Sequence, residues 1–359
     1  MKKLIIILIL LPIVASIASC SKENSFSPKD TDNIWKPDPT PDSIFSLLHY
    51  SDLHSSTATV KAANYYSLQL KNSCTINSGD MEVGNEIPDE ILMSPVPVLT
   101  VPGNHDVYDY GQYKFRTYVM EKLQPCANVT FGSEKANYWT KDFQKGGYSY
   151  RFIGLDEFEN NAEGVYFDHG MSVFTQEQID WFIKTLESSA DFDGVVVVLH
   201  SMPALRDLNN KNEFVSELAK NFPHNYDYYS YDDRNIIPDI IESYSTGKNI
   251  DKSYYSKNRQ IQVTTNFSTL ADNFIAYLGG HLHYDIVEYL LEYPSQIVAL
   301  VASPSYGYKS EHSDLSLRDA NFLLNLYSVN PKRRQLKIQR IGASTTDSGA
   351  LRREITLTY

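Results

Sequence analysis

The residues in this chain best suited to chemistry fall in five short polar clusters. In order they are Asp52-Leu53-His54, Gly79-Asp80, Gly103-Asn104-His105-Asp106, His200 and Gly280-His281-Leu282-His283. Five of the nine histidines lie in these clusters, and each cluster offers an imidazole nitrogen or a side-chain oxygen. Such a mixed nitrogen and oxygen set suits Zn, Mn or Fe. Taken singly, each residue has a plainer reading: Asp52 as a helix cap, Asn104 as a turn residue, His200 as a satisfied core histidine. Taken together, five clusters that each follow an apolar run point to a metal site.

The runs that must position these clusters read as strands. Ile44–Tyr50, Ser73–Asn77, Val96–Val101, Tyr148–Leu155, Gly194–Leu199 and Phe274–Leu278 are short apolar segments, most of them ending in a polar group. In open α/β sheets, sites form beyond the carboxyl ends of strands. Ala58–Leu70 has a helical pattern, and Thr175 with Gln178 fits a capping box before Ile179, Phe182, Ile183 and Leu186 at helical spacing. Strands alternating with helices define an α/β sheet protein. The more polar region 204–272, with helical patterns at Asn212–Phe222 and Ile236–Tyr244, reads as a helical insertion capping the main domain. Beyond Asp285 the pattern turns to β. Ile286–Leu291 with Ile297–Ala302, and Phe322–Val329 with Gln335–Ile341, read as antiparallel strands completing a second sheet.

The order DxH, GD, GNHD, a lone His after an apolar strand, then GHxH resembles the calcineurin-like metallophosphoesterases, over residues 44–341. The resemblance implies a four-layer α/β/β/α sandwich, two sheets face to face with helices outside. It implies two divalent or mixed-valence transition-metal ions (Mn, Fe or Zn). Asp52, His54 and His283 would hold one ion, Asn104, His200 and His281 the other, and Asp80 would bridge them. His105 would hydrogen-bond the phosphoryl group or protonate the leaving oxygen, oriented by Asp106. The activity implied is hydrolysis of a small phosphorylated substrate by a hydroxide activated between two metals, without a covalent intermediate. The residues leave open a phosphodiester or a phosphomonoester substrate. A non-catalytic, metal-containing binding lipoprotein is the competing reading, against which the complete ligand set and intact His105 argue.

Departures sharpen the reading. Purple acid phosphatases carry a Tyr three residues after the bridging Asp, and many relatives an Asp; here Val83 stands there, so a tyrosinate-bound ferric site is not expected. The chain ends too soon after the motifs for the large C-terminal domain of the periplasmic 5′-nucleotidases. Tyr108, Tyr110 and Tyr113, and Tyr226, Tyr228, Tyr229 and Tyr231, are candidates to stack on a base or sugar, though with 26 tyrosines in the chain ordinary packing is the simpler expectation. His49 lies inside the first strand and reads as core. His169, His224 and His312 match no motif.

The N-terminus bears on compartment. Lys2-Lys3, an apolar run from Leu4 to Ala18, and Ile17-Ala18-Ser19-Cys20 read as a lipoprotein signal over 1–19, with lipid on Cys20. Residues 20–43, with Pro28, Pro37, Pro39 and Pro41, read as a flexible tether before a domain over 44–359. The expected address is a bacterial cell envelope, periplasmic or outer-membrane surface, with the membrane as partner. Net charge is −12, and −14 without residues 1–19, which argues against binding nucleic-acid backbone. It does not oppose a phosphorylated substrate, because bound metals supply positive charge locally. Cys74 and Cys126 remain after Cys20; they can pair in an oxidising compartment, and Cys74 equally suits a small buried position.

Overall fold

The computed structural model describes residues 40–54, 57–81, 86–107, 115–159, 174–201, 235–256, 259–267, 271–281, 286–290, 293–301, 322–342 and 354–359. Among these, six strands form one sheet: β1 (Phe45–Tyr50), β2 (Cys74–Asn77), β3 (Val98–Thr100), β13 (Leu323–Asn330), β14 (Gln335–Gly342) and β15 (Glu354–Thr358), in the order β15-β14-β13-β1-β2-β3. Seven form a second: β4 (Thr130–Phe131), β5 (Trp139–Lys145), β6 (Tyr148–Gly154), β7 (Gly194–Val198), β10 (Phe274–Gly279), β11 (Ile286–Tyr289) and β12 (Ile297–Leu300), in the order β11-β12-β10-β7-β6-β5-β4. A separate hairpin pairs β8 (Asp251–Ser256) with β9 (Arg259–Thr264). The helices are α1 (Ala58–Leu70), α2 (Glu86–Leu92), α3 (Glu121–Ala127), α4 (Gln176–Glu187) and α5 (Ile236–Thr246), with a π-helical turn at Arg116–Met120 leading into α3.

The direction of the strands decides where the site lies. β1, β2 and β3 run parallel to one another, as do β6, β7 and β10. The carboxyl ends of β1, β2 and β3 therefore lie side by side, and so do those of β7 and β10 in the other sheet. Each of the five sequence clusters leaves from one of these ends.

The β7 sequence, Gly194 followed by Val195–Val198, explains how the second sheet is covered on both faces. Val196 and Val198 join the core shared with Leu47, Tyr327 and Ile338 of the first sheet. Val195 and Val197 instead pack among Ile179 and Phe182 of α4 and Ile237 and Ile241 of α5. Successive side chains of a strand point to opposite faces, so a continuous apolar run marks a strand buried on both. Each fully buried valine contributes about 1.5–3 kcal/mol. Phe45 of β1 closes the contact between sheets, its ring 4.6 Å from that of Tyr150 and 5.5 Å from that of Phe152. Trp139, fully buried, donates its indole N–H to Thr100 O at the end of β3 (2.7 Å). The terminal residue Tyr359 is tucked against the core, held through its backbone by Arg334.

Three expectations need correction. The C-terminal strands do not all complete a second sheet: β11 and β12 join the sheet of β10, but β13–β15 pair antiparallel from β1 outward and finish the first. The hydrophobic pattern marks strands but not their partners. The capping box at α4 is half formed. Thr175 accepts from Gln178 N (3.2 Å), but the Gln178 amide turns away to hold the Asp156 peptide on both sides, accepting from its N–H and donating to its carbonyl (each 2.8 Å). The described part of the 204–272 insertion holds α5 and also the β8–β9 hairpin, so it is not purely helical. Asn212–Phe222 lies outside the described residues, as do the signal segment, Cys20 and most of the tether. Cys74 is buried and Cys126 half-buried, both as free thiols. No described helix is long and apolar enough to cross a membrane.

Candidate metal centre

Backbone conformation marks the site before any side chain is considered. Asp52 (φ 51°), His54 (φ 42°), Asp80 (φ 53°) and His281 (φ 69°) all occupy the left-handed region. That region costs an L-residue about 1–2 kcal/mol, and such residues cluster where function requires them. Glycine accounts for only part of the local geometry. Gly79 has φ 105° and needs its freedom. Gly103 and Gly280 have ordinary φ, so their role is space rather than a sharp turn. A Cβ on Gly103 would stand 2.1 Å from Asp80 Oδ1, and one on Gly280 would stand 1.9 Å from Ser51 Oγ and 2.4 Å from Asp52 Oδ2. Gly280→Ala should therefore destabilise the protein by about 1–3 kcal/mol through overpacking and weaken metal binding together with it. Urea unfolding and metal titration of that variant test this; unchanged values for both would contradict the close approach.

Hydrogen bonds join the five strand ends into one body. Asp52 N–H donates to Gly79 O (3.0 Å) and His54 N–H to Asp80 O (3.1 Å). Asp106, fully buried, accepts from Met81 N–H and Gly103 N–H (2.9 Å each), which ties the loop after β2 to the loop after β3. Across the sheets, Asp52 accepts from His281 N–H at both oxygens (3.0 Å each). These bonds of Asp106 thus hold the backbone that carries Asp80 and Asn104, and neither of them reaches the His105 side chain.

The side chains then converge. His200 Nδ1 donates to Ser78 O (2.7 Å), which leaves a lone pair on Nε2 of the neutral ring. Nε2 lies 3.0 Å from Asn104 Oδ1, 3.2 Å from Asp80 Oδ2 and 3.2 Å from His281 Nδ1, which is itself 3.0 Å from Asn104 Oδ1. Acceptor atoms gathered this closely favour positive charge among them, a proton or a metal ion. A single proton satisfies one such contact; a metal ion satisfies all, so the donor set fits a transition metal. Two metal-competent groups stand side by side, Asp80 with His200 and His281, and Asp80 with His54 and His105, the donor atoms of each within 4.8 Å of one another. Asp80 belongs to both. Its Oδ1 also accepts from His105 N–H (2.9 Å). The rings of His54 and His105 meet edge to face at 5.0 Å.

Electrostatics agree with that geometry. Burial alone would raise the Asp80 carboxyl, but His200, His105 and His281 around it hold it well below the usual range. Burial likewise opposes charge on His200, yet the Asp80 carboxylate outweighs it and lifts the imidazole to about 10. In metal-free protein a proton on His200 therefore supplies the missing positive charge. Metal binding needs that lone pair, so at pH 8 loading should release protons, one source being this histidine and another a metal-held water that ionises. Calorimetric titration in two buffers of different ionisation enthalpy measures it; identical apparent enthalpies would contradict the assignment.

Of the nine residues read from the sequence, the structure brings eight together: Asp52, His54, Asp80, Asn104, His105, Asp106, His200 and His281. His283 lies outside the described residues, as do Val83 and the tyrosines at 108–113 and 226–231. His49 is core, as read, with Nδ1 3.1 Å from Tyr327 Oη and Nε2 2.9 Å from Ser78 Oγ. Its burial lowers it to about 3, with Asp52 opposing only in part, so it is neutral. The sequence reading missed Glu157. This residue is 2% exposed and lies beyond the end of β6, where burial pushes its carboxyl up to about 7. Its signal was present, an acid just past an apolar strand, but it belongs to no motif.

In class, this is an α/β protein whose two sheets meet at a candidate metal site of imidazoles and carboxylates. Among solved structures it is similar to a dimetal phosphatase from Danio rerio, with a TM-score of 0.53 and 12% identity over 89% of this chain and 100% of that one. It also aligns with a 5′-nucleotidase precursor from Thermus thermophilus, with a TM-score of 0.42 and 12% identity over 85% of this chain and 55% of that one. The chain thus shares the fold of that dimetal phosphatase. No protein-family model matches the chain, and no curated protein sequence does.

Proposed function

We propose that this protein is a metal-dependent phosphoric ester hydrolase that acts outside the cytoplasm. The observation that carries this reading is the pair of histidine–carboxylate groups sharing Asp80 where the ends of three parallel strands of one sheet and two of the other meet. Asp52, His54 and His283 would hold one ion, Asn104, His200 and His281 the other, with Asp80 between them. Two cations held there would lower the pKa of a shared water and neutralise the phosphoryl oxygens. Asn104 contributes a donor without negative charge that would repel the ester. His105, whose backbone is fixed on Asp80 Oδ1, donates a proton from its imidazole to the leaving oxygen. Asp106 keeps the two loops in register around it.

The proposed setting is the bacterial cell envelope, with the domain tethered through lipid on Cys20 and working on a small phosphorylated substrate. The basic residues, apolar run and Ile17-Ala18-Ser19-Cys20 support the anchor. The reading is tested by adding Mn, Zn or Fe to the soluble domain and assaying p-nitrophenyl phosphate and bis-p-nitrophenyl phosphate. Turnover of either supports it, and the ratio assigns monoester or diester preference. Metal uptake with no turnover across a broad panel of esters would favour a non-catalytic binding lipoprotein.

A further inference from the structure

We propose that Glu157 is a positioning residue for the metal site, acting on His200 through the residue that follows it. The proposal rests on the reading of His200 as a metal ligand. Both Glu157 oxygens bond Ser201: Oε2 accepts its backbone N–H (2.6 Å) and Oε1 its hydroxyl (2.8 Å), and the backbone of His200 itself also stabilises the carboxylate. This two-point grip joins the ends of β6 and β7 across 44 residues of sequence. Glu157 is itself held from behind. The neighbouring Asp156 peptide is gripped at N–H and carbonyl by Gln178 of α4 (2.8 Å each), and Leu155 N–H donates to Val198 O (2.9 Å). The ring of Phe158, the next residue, lies edge-on to His200 at 5.9 Å.

The result is a rigid path from α4 through Gln178, Asp156 and Glu157 to the peptide just beyond His200. On the other side, Ser78 O fixes Nδ1 of the same ring. A neutral side chain would close this turn at lower desolvation cost, since a buried carboxylate is expensive unless compensated. His200 is the charged neighbour that draws the Glu157 carboxyl back down against burial. Positive charge at His200, a proton in the metal-free protein or a metal ion once loaded, offsets part of that cost. Groups that orient ligands in this way typically change metal affinity 10–100-fold when removed.

The test is metal binding, read by stepwise competition with a chromophoric chelator on the full soluble domain. Wild-type protein is expected to give two steps. Glu157→Ala should weaken one step about 10–100-fold and leave the other within a few-fold, while Glu157→Gln, which can still bridge Ser201, should restore most of the loss. Ser201→Ala removes only the hydroxyl half of the grip. It should weaken the same step by a smaller factor, and it carries the test if Glu157→Ala does not fold. Two unshifted steps in folded Glu157→Ala, or in Ser201→Ala where only that variant folds, would overturn the positioning role and leave the metal-site reading standing. Wild-type protein that takes up no metal would overturn that reading and the proposal with it.

Discussion

Asp80→Ala is expected to abolish metal binding and activity together. Asp80 is the carboxylate common to both histidine groups, with Oδ2 facing His200 and Oδ1 accepting the His105 backbone N–H. Its removal deletes the negative charge that makes the cluster attractive to cations, and it frees the backbone that seats His105. Elemental analysis after equilibration with excess metal should fall from about two ions per chain to below one. Turnover should drop about 10³-fold or more, since the loss exceeds that of a single stabilising donor. Full metal content in this variant would sink the bridging assignment.

His105→Ala should separate the two properties. The resemblance places His105 beside the substrate rather than on a metal, although the structure gathers its ring nitrogen with His54 and Asp80, donor atoms within 4.8 Å of one another. A general acid contributes about 10²–10⁴-fold. The variant should therefore keep its metals and lose turnover by roughly that factor. The loss should be larger for esters with poor leaving groups, which need the proton, than for p-nitrophenolate, which does not. Loss of metal alongside turnover would instead make His105 a ligand.

What was legible in the sequence follows a physical division. Strands β1, β2, β3, β7 and β10 were readable because each is a short apolar run that stops at a polar cluster. The ligands were readable because acid, amide and imidazole recur at those stops. Helix α1 was read at Ala58–Leu70, the bounds it has in the structure. Strand partnership was not readable: β13 pairs with β1 across some 280 residues, a contact that no local pattern encodes. Nor was the purpose of Gly103 and Gly280, since a glycine needed for space and one needed for positive φ look alike in sequence. The role of Glu157 was not readable for a related reason. Its partner Ser201 is distant in the chain, and only the folded sheet makes them neighbours.

The measurement that tests the central claim most directly is metal content of the purified soluble domain from about residue 22, taken as isolated and after reconstitution with Mn, Zn or Fe, alongside ester hydrolysis. The account predicts about two ions per chain and turnover of at least one aryl phosphate ester that follows metal loading. No bound metal even after reconstitution would contradict it.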